Sequence, residues 1–397
     1  MYSGYVSIHR TLANPRLAAL LQDLLSEEQL PALDRWFSRF ARSSGWTVAE
    51  QRTLWDLLRT ALVRGYSLLP DASTPAITSW PGFRVALRGR ASEWALRAVH
   101  PAPDQPTLAQ AGIPPWLARS WEDRVLRSRW SEDERKDFLA AQETPAPVHV
   151  RFRAGPEGDA CALRLAEAGQ IEPSEVEGIF RLSGGRGLES SPDWKRGLVE
   201  IQDAASQLSL VRLGLRPGQR VWDVCAGQGG KTLLAAAELR GKGAMVATEV
   251  SEFKLRALKE RVKRSGWQNI RILPWNGDAL PGFGPEMTGR GFDRVIVDAP
   301  CSASGTWRRD PDGRYRQFPR ALEELAKHQA RLLRLGWSAL KSGGRLAYIT
   351  CSWLPGEDEE VVAAFVEEVG AVVLHEELLG LPAFDANSMF VAVLEKL

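Results

Sequence analysis

Two cysteines define the chemistry open to this chain. Cys301 stands in DAPCS at 298–302 and Cys351 in TCS at 350–352. Each follows a short apolar run that reads as a buried strand, Val295, Ile296 and Val297 before the first and Leu346, Tyr348 and Ile349 before the second. In an open parallel α/β sheet the ligand crevice lies outside the carboxyl ends of the strands, so two thiols placed there can face one cleft. Either cysteine alone reads more readily as a small buried hydrophobe. Together, and with a glycine-rich loop upstream, they point to a site.

That loop is CAGQGGK, residues Cys225, Ala226, Gly227, Gln228, Gly229, Gly230 and Lys231. Glycines after a first strand let backbone approach a ligand, and the following helix offers its amides. The spacing is neither GxxxxGKS/T nor a full GxGxxG, which disfavours nucleoside triphosphates and dinucleotides. Glu249 ends the next strand, where an acid can hold two ribose hydroxyls. Asp278, in NGDA after a third strand, is suited to an adenine amino group. Each acid taken alone could equally cap a helix or sit in a turn. Three such positions after three successive strands favour an adenosine-bearing cofactor.

These residues need a sheet to position them. From LRPGQRVWDVC onward, strands and helices alternate: RVWDVC, AMVATEV, IRILPW, FDRVIVDA and RLAYIT read as successive parallel strands, and AVVLH with MFVAVLEK as a closing hairpin-like pair. Residues 1 to about 100 read as helices instead. Leu17, Leu20, Leu21, Leu24 and Leu25 fall at helical spacing, Trp36, Phe37 and Phe40 mark a second segment, and Thr47 with Glu50 forms a capping box for a third. Arg10, Arg16, Arg35, Arg39, Arg42 and Arg52 lie among acids and read as a solvated face. The proline-rich stretch 101–115 reads as a linker.

Between linker and loop, Val148, Val150 and Phe152 alternate with His149, Arg151 and Arg153, a strand with one core face and one basic face. Such a face can hold single-stranded RNA, although solvation is as common a use, and His149 reads as a surface residue. WRRDPDGRYRQFPR at 307–320 interleaves five arginines with Trp307, Tyr315 and Phe318, a pattern suited to phosphates and stacked bases.

The totals set bounds. The chain has 397 residues, 44% of them hydrophobic and 25% charged, with a net charge of +2; two or three ordinary globular domains fit this, and a polyanionic partner is neither required nor excluded. The four cysteines share no metal-ligand or disulfide spacing, so a reducing cytoplasm and no metal are expected. No run suits a membrane span, and MYSGYVSIHR lacks the apolar core of a signal peptide.

DVCAGQGGKT, VDAPCSASGTWRRDPD, YITCSWLPGEDEE and the upstream QDAAS resemble the Sun/Fmu group of RNA (cytosine-5) methyltransferases, over residues 115–397. The N-terminal helices are similar to the NusB-like domain of its RsmB branch. The resemblance implies a Rossmann-like class I methyltransferase domain with a mostly parallel seven-stranded sheet at 216–397. Before it would lie a small α+β RNA-recognition-like domain at 116–215 and an all-α domain at 1–105. It implies S-adenosylmethionine held by residues 225–231 with Glu249, Asp278 and Asp298, and Cys351 as the nucleophile. Small-subunit ribosomal RNA would be the substrate of a monomeric protein. Cytosine C5 is a poor nucleophile, so a thiolate adding at C6 would supply the electron density needed for methyl transfer. Asp298 would reach cofactor and base, Cys301 would assist loss of the C5 proton as base or through a water, and Lys231, a helix terminus or substrate contacts would favour the thiolate. The chain departs from the family's pattern at Gly227-Gln228, Ala303, PGEDEE and Asn387-Ser388-Met389-Phe390. A DNA cytosine methyltransferase is disfavoured, because its nucleophile normally follows strand four without a TCS partner. The competing class is an RNA-binding ribosome-assembly factor that keeps the fold without turnover.

Overall fold

The computed structural model describes residues 3–69, 80–99, 106–183, 187–284 and 291–397, with side chains from residue 15 onward. They group into two compact units, Met1–Pro145 with Thr306–Glu323 and Ala146–Gly305 with Glu324–Leu397. This grouping does not cut at the expected 105/116 and 215/216. Helices Ala118–Ser128 and Glu132–Ala141 fall with the N-terminal helices, and the chain returns to that unit at 306–323. Of the expected linker, residues 101–105 lie outside the described residues, as does the Arg10 side chain. Ala111 and Ile113 are buried, so the linker's second half is packed structure.

The first unit is helical: Ser3–Ser26, Leu33–Ser43, Val48–Arg64, Trp80–Ala86 and Ala91–Val99 precede the two helices just named. Leu17, Leu20, Leu21 and Leu24 are buried with Trp36, Phe37, Leu54, Leu58 and Leu62, as their spacing predicts. Thr47 caps the third helix: its hydroxyl accepts from the Glu50 amide, and the Glu50 carboxylate accepts from the Thr47 amide.

The returning segment corrects an expectation. Trp307, Arg308, Arg314 and Tyr315 are buried, not offered to RNA, whereas Arg316, Phe318 and Arg320 of the same stretch are exposed. Tyr315 stacks on Tyr66 with ring centroids 4.9 Å apart, and its hydroxyl donates to the Leu62 carbonyl. Arg314 donates to the Ala111 and Trp307 carbonyls, each at 3.3 Å, and Arg308 to the Thr144 carbonyl at 3.0 Å. Arg316 pairs with Asp310 and Asp312. Aromatic residues interleaved with arginines therefore serve as core and as satisfied buried cations, a use the same pattern permits when carbonyls are at hand.

In the second unit, β1 (His149–Phe152), β2 (Ile171–Pro173), β3 (Phe180–Leu182) and β4 (Val199–Ile201) form an antiparallel sheet in the order β2-β3-β1-β4. The expected basic face of β1 is consumed internally. His149 is buried, Arg151 donates to the Gln202 side chain at 2.6 Å, and Arg153 donates to the Ser265 and Arg196 carbonyls.

The larger sheet contains β5 (Arg220–Asp223), β6 (Ala244–Glu249), β7 (Ile270–Pro274), β8 (Phe292–Asp298), β9 (Leu340–Thr350), β10 (Val372–Leu379) and β11 (Met389–Glu395), in the order β10-β11-β9-β8-β5-β6-β7. Strands β5 to β9 pair in parallel, and β11 runs antiparallel to both neighbours, so the closing hairpin stands as expected. This is the expected α/β, Rossmann-like arrangement. Val295, Ile296, Val297, Leu346, Tyr348 and Ile349 are fully buried, as central parallel strands covered on both faces must be. Among the described residues no helix is long and apolar enough to cross a membrane, and no group of three or more His, Cys, Asp or Glu is placed to hold a metal ion.

Candidate active site

Strand register brings the two cysteines together. Asp298 pairs with Ile349 across β8 and β9, so the turns beyond carry Cys301 and Cys351 to the same sheet edge. Their sulfurs lie 3.3 Å apart. Both line a cavity of about 270 Å³ with Val224, Cys225, Gly227, Glu249 and Asp298. The Cys301 turn is tight. Ala303 sits at φ 56°, a left-handed conformation uncommon for a residue with a Cβ. A Cβ on Gly305 would meet the Ser388 carbonyl oxygen at 1.9 Å, so Gly305 lets that turn close against Ser388. The Gly305 amide in turn donates to the Cys351 carbonyl at 3.0 Å.

The glycine loop folds as its composition dictates. Gly229 has φ 90° and precedes the helix Gly230–Glu238; a Cβ there would meet Leu258 at 2.4 Å. Glu249, at the end of β6, takes the Gly227 amide on one oxygen at 2.9 Å and the Val250 and Ser251 amides on the other. Lys231 donates to Asp298, a lining residue of the cavity, at 2.9 Å. Of the seven predicted loop residues, Cys225 and Gly227 line the cavity, and Ala226, Gln228, Gly229, Gly230 and Lys231 do not.

Asp278 is placed elsewhere. Its side chain is 65% exposed and pairs with Arg331 at 2.6 Å, while Asn276 and Gly277 of the same turn line the cavity. Asn276 donates to the Asp278 carboxylate at 2.6 Å and accepts from its amide, so a local turn fixes which side chain points inward. Trp275, Lys254, His328 and Leu332 also line the cavity and were not anticipated. Only a known helix rotation identifies Lys254 and His328, and the sequence carries no separate signal for either.

The Cys301 and Cys225 thiols differ electrostatically from free cysteine. The contact with Cys351, followed by burial, pushes the Cys301 thiol well up. Burial does the same to Cys225. Cys301 therefore holds its proton at neutral pH and can donate it toward the Cys351 sulfur.

Beneath the loop, Asp223 is fully buried, and burial raises it to about 7 against the opposing hydrogen bond from Thr232. Its folded pKa lies above its unfolded value near 4, so its contribution to stability is full below about pH 4 and is lost as pH rises to about 7. Asp223→Asn should therefore gain on wild type by on the order of a few kcal/mol across that interval and no further above it. Urea unfolding of both proteins between pH 4 and 8 checks this; a constant difference would remove Asp223 as the titrating group.

The 16S rRNA methyltransferase RsmB/F family model matches residues 210–384. The chain is 35% identical over 292 residues to "Ribosomal RNA small subunit methyltransferase B" of Enterobacter sp. (strain 638), covering 71% of this chain and 59% of that protein. It thus spans about three fifths of the length of such curated relatives. Among solved structures, PH0851 is similar over 90% of this chain and 93% of its own, with a TM-score of 0.66 at 23% identity. A methyltransferase homolog protein from Pyrococcus horikoshii is similar over 71% of this chain and all of its own, with a TM-score of 0.56 at 26% identity.

Proposed function

We propose that the protein, whose residues 210–384 match the 16S rRNA methyltransferase RsmB/F family model, methylates C5 of a cytosine in small-subunit ribosomal RNA with S-adenosylmethionine. The observation that carries this reading is the pair of sulfurs 3.3 Å apart at the ends of adjacent parallel strands, opening on the cavity that Glu249 and Asp298 also line. The cavity suits the cofactor's chemistry. Glu249 offers carboxylate oxygens for ribose hydroxyls, Trp275 and Val250 offer apolar surface, and Asn276 offers amide groups for a base. Asn276 takes the adenine-reading role first assigned to Asp278. When bound, S-adenosylmethionine supplies an electrophilic methyl group.

The chain's own residues do the rest. The Cys351 thiolate adds to C6 of a cytosine removed from its stack, forming a carbon–sulfur bond and placing electron density at C5. Asp298, held by Lys231, accepts a hydrogen bond from the amino group of the base. The thiol of Cys301 stabilises the Cys351 thiolate by donating to it. After transfer, Cys301 or a water it holds assists loss of the C5 proton, and the Cys351–C6 bond then breaks. RNA in the cytoplasm is the partner this reading requires.

The test is transfer of labelled methyl groups to unmodified small-subunit rRNA, with the product digested to nucleosides. Label in 5-methylcytidine supports the reading. RNA and cofactor binding without label would replace it with the assembly-factor reading. In the same assay Glu249→Ala should weaken cofactor binding by about 10–100-fold through loss of charge-assisted hydrogen bonds. Calorimetry measures this directly, and unchanged affinity would place the ribose elsewhere.

A further inference from the structure

Behind the two thiols lies a buried polar cluster. Glu357 is 1% exposed, and its two carboxylate oxygens face two different loops. One oxygen accepts from the Ser302 amide at 2.8 Å, immediately after Cys301, and from the Gln329 side chain at 3.0 Å. Gln329 also donates to the Pro300 carbonyl at 3.0 Å, so the Cys301 turn is held on both sides of the cysteine. The other oxygen accepts from the Ser352 hydroxyl at 3.0 Å, immediately after Cys351. Ser304 bridges the loops, with its hydroxyl 3.0 Å from that of Ser352 and accepting from the Trp353 amide at 3.1 Å. Glu357 is itself fixed, because Tyr348 of β9 donates to its carbonyl at 2.6 Å.

We infer that Glu357 is the positioning residue that sets the separation of Cys301 and Cys351, one carboxylate oxygen holding each thiol's loop. The inference rests on the proposed reaction for its purpose, since the nucleophile and the group that assists proton loss must act on adjacent carbons of one base. Its geometric content does not depend on that reaction. A buried carboxylate with three donors is satisfied only while both loops stay in place. Removing it leaves the Ser302 amide and the Ser352 hydroxyl without their buried acceptor and frees each turn.

The experiment measures thiol proximity without turnover. Wild-type, Glu357→Ala and Glu357→Gln proteins are treated with diamide, and the Cys301–Cys351 disulfide is quantified by peptide mass spectrometry. The two thiols give up two protons and two electrons, which reduce the reagent's N=N bond to the hydrazine. Glu357→Ala should form the disulfide about tenfold more slowly or worse, because small displacements of reacting atoms have effects of this size. Glu357→Gln keeps an acceptor for the Ser302 amide, and the Ser352 hydroxyl can rotate to accept from its NH₂ group, so its rate should stay within about threefold of wild type. Disulfide formation by Glu357→Ala at the wild-type rate would overturn the inference.

Near-ultraviolet circular dichroism checks that each variant is packed. If Glu357→Ala is not, Gln329→Ala takes its place, since it loosens only the Cys301 turn; an unchanged rate in that variant also overturns the inference. Methyl transfer is measured separately. There Glu357→Ala should lower kcat and leave the KM for cofactor unchanged, with Glu357→Gln restoring most of kcat. If the thiol rates behave as described and wild type methylates no RNA, the clamp stands and the proposed function fails.

Discussion

On the proposed reaction, Cys351→Ala protein should transfer methyl groups to cytosine at a rate lower than wild type by on the order of 10⁴-fold or more, the scale of loss when a covalent nucleophile is removed. Cys301→Ala gives a different result. It should form the Cys351–C6 bond and then stall, so that protein migrates with RNA on a denaturing gel and the complex survives boiling in detergent. The asymmetry follows from the geometry. Both sulfurs reach the cavity, but the Cys301 thiol is held in its protonated form by the Cys351 contact and by burial, which suits it to a donor's part before addition. Active Cys351→Ala together with inactive Cys301→Ala would exchange the two roles. A label carried by both single variants would remove covalent catalysis altogether.

The second large effect is on stability. Tyr315→Ala should destabilise the helical unit by about 3–5 kcal/mol, the usual cost of truncating a buried aromatic residue. For a unit of this size that lowers the calorimetric midpoint by about 10 °C. Tyr315 is 2% exposed, packs against Tyr66, Phe83 and Trp80, and donates its hydroxyl to Leu62. Tyr315→Phe keeps the ring and loses one hydrogen bond, so it should cost only about 1 kcal/mol. Equal, small effects of both substitutions would mean that the ring contributes little to this core.

Much of the sheet was legible because its signals are local. Short apolar runs ending at a polar turn located β8 and β9, and the strand order placed both cysteines at one edge. The capping box of Thr47 and Glu50 was equally local. What could not be read depends on partners far away in sequence. Nothing near Tyr315 announces Leu62 or Tyr66, so the buried half of the 307–320 segment reads as basic, aromatic surface. His149 is buried with Asp203 3.9 Å away, a neighbour the alternation of its own strand cannot supply. The choice between Asn276 and Asp278 turned on one side-chain hydrogen bond within a turn. Glu357 stands close to Cys351 in sequence, but nothing there announces its bond to the Ser302 amide beside the other cysteine.

The split composition of the helical unit has a consequence for how the chain is made. Domains usually fold in the order in which they leave the ribosome. Here the N-terminal helices lack Trp307, Arg314 and Tyr315 until translation has passed through residues 146–305, a delay of roughly 8–30 s at ordinary elongation rates. During that interval the pocket that receives Tyr315 is an apolar opening on the nascent chain, lined by Tyr66, Trp80 and Phe83. The same arrangement constrains gene rearrangement. A recombination event that exchanged only residues 1–145 would strand the returning segment, so the two pieces of this unit must be inherited together.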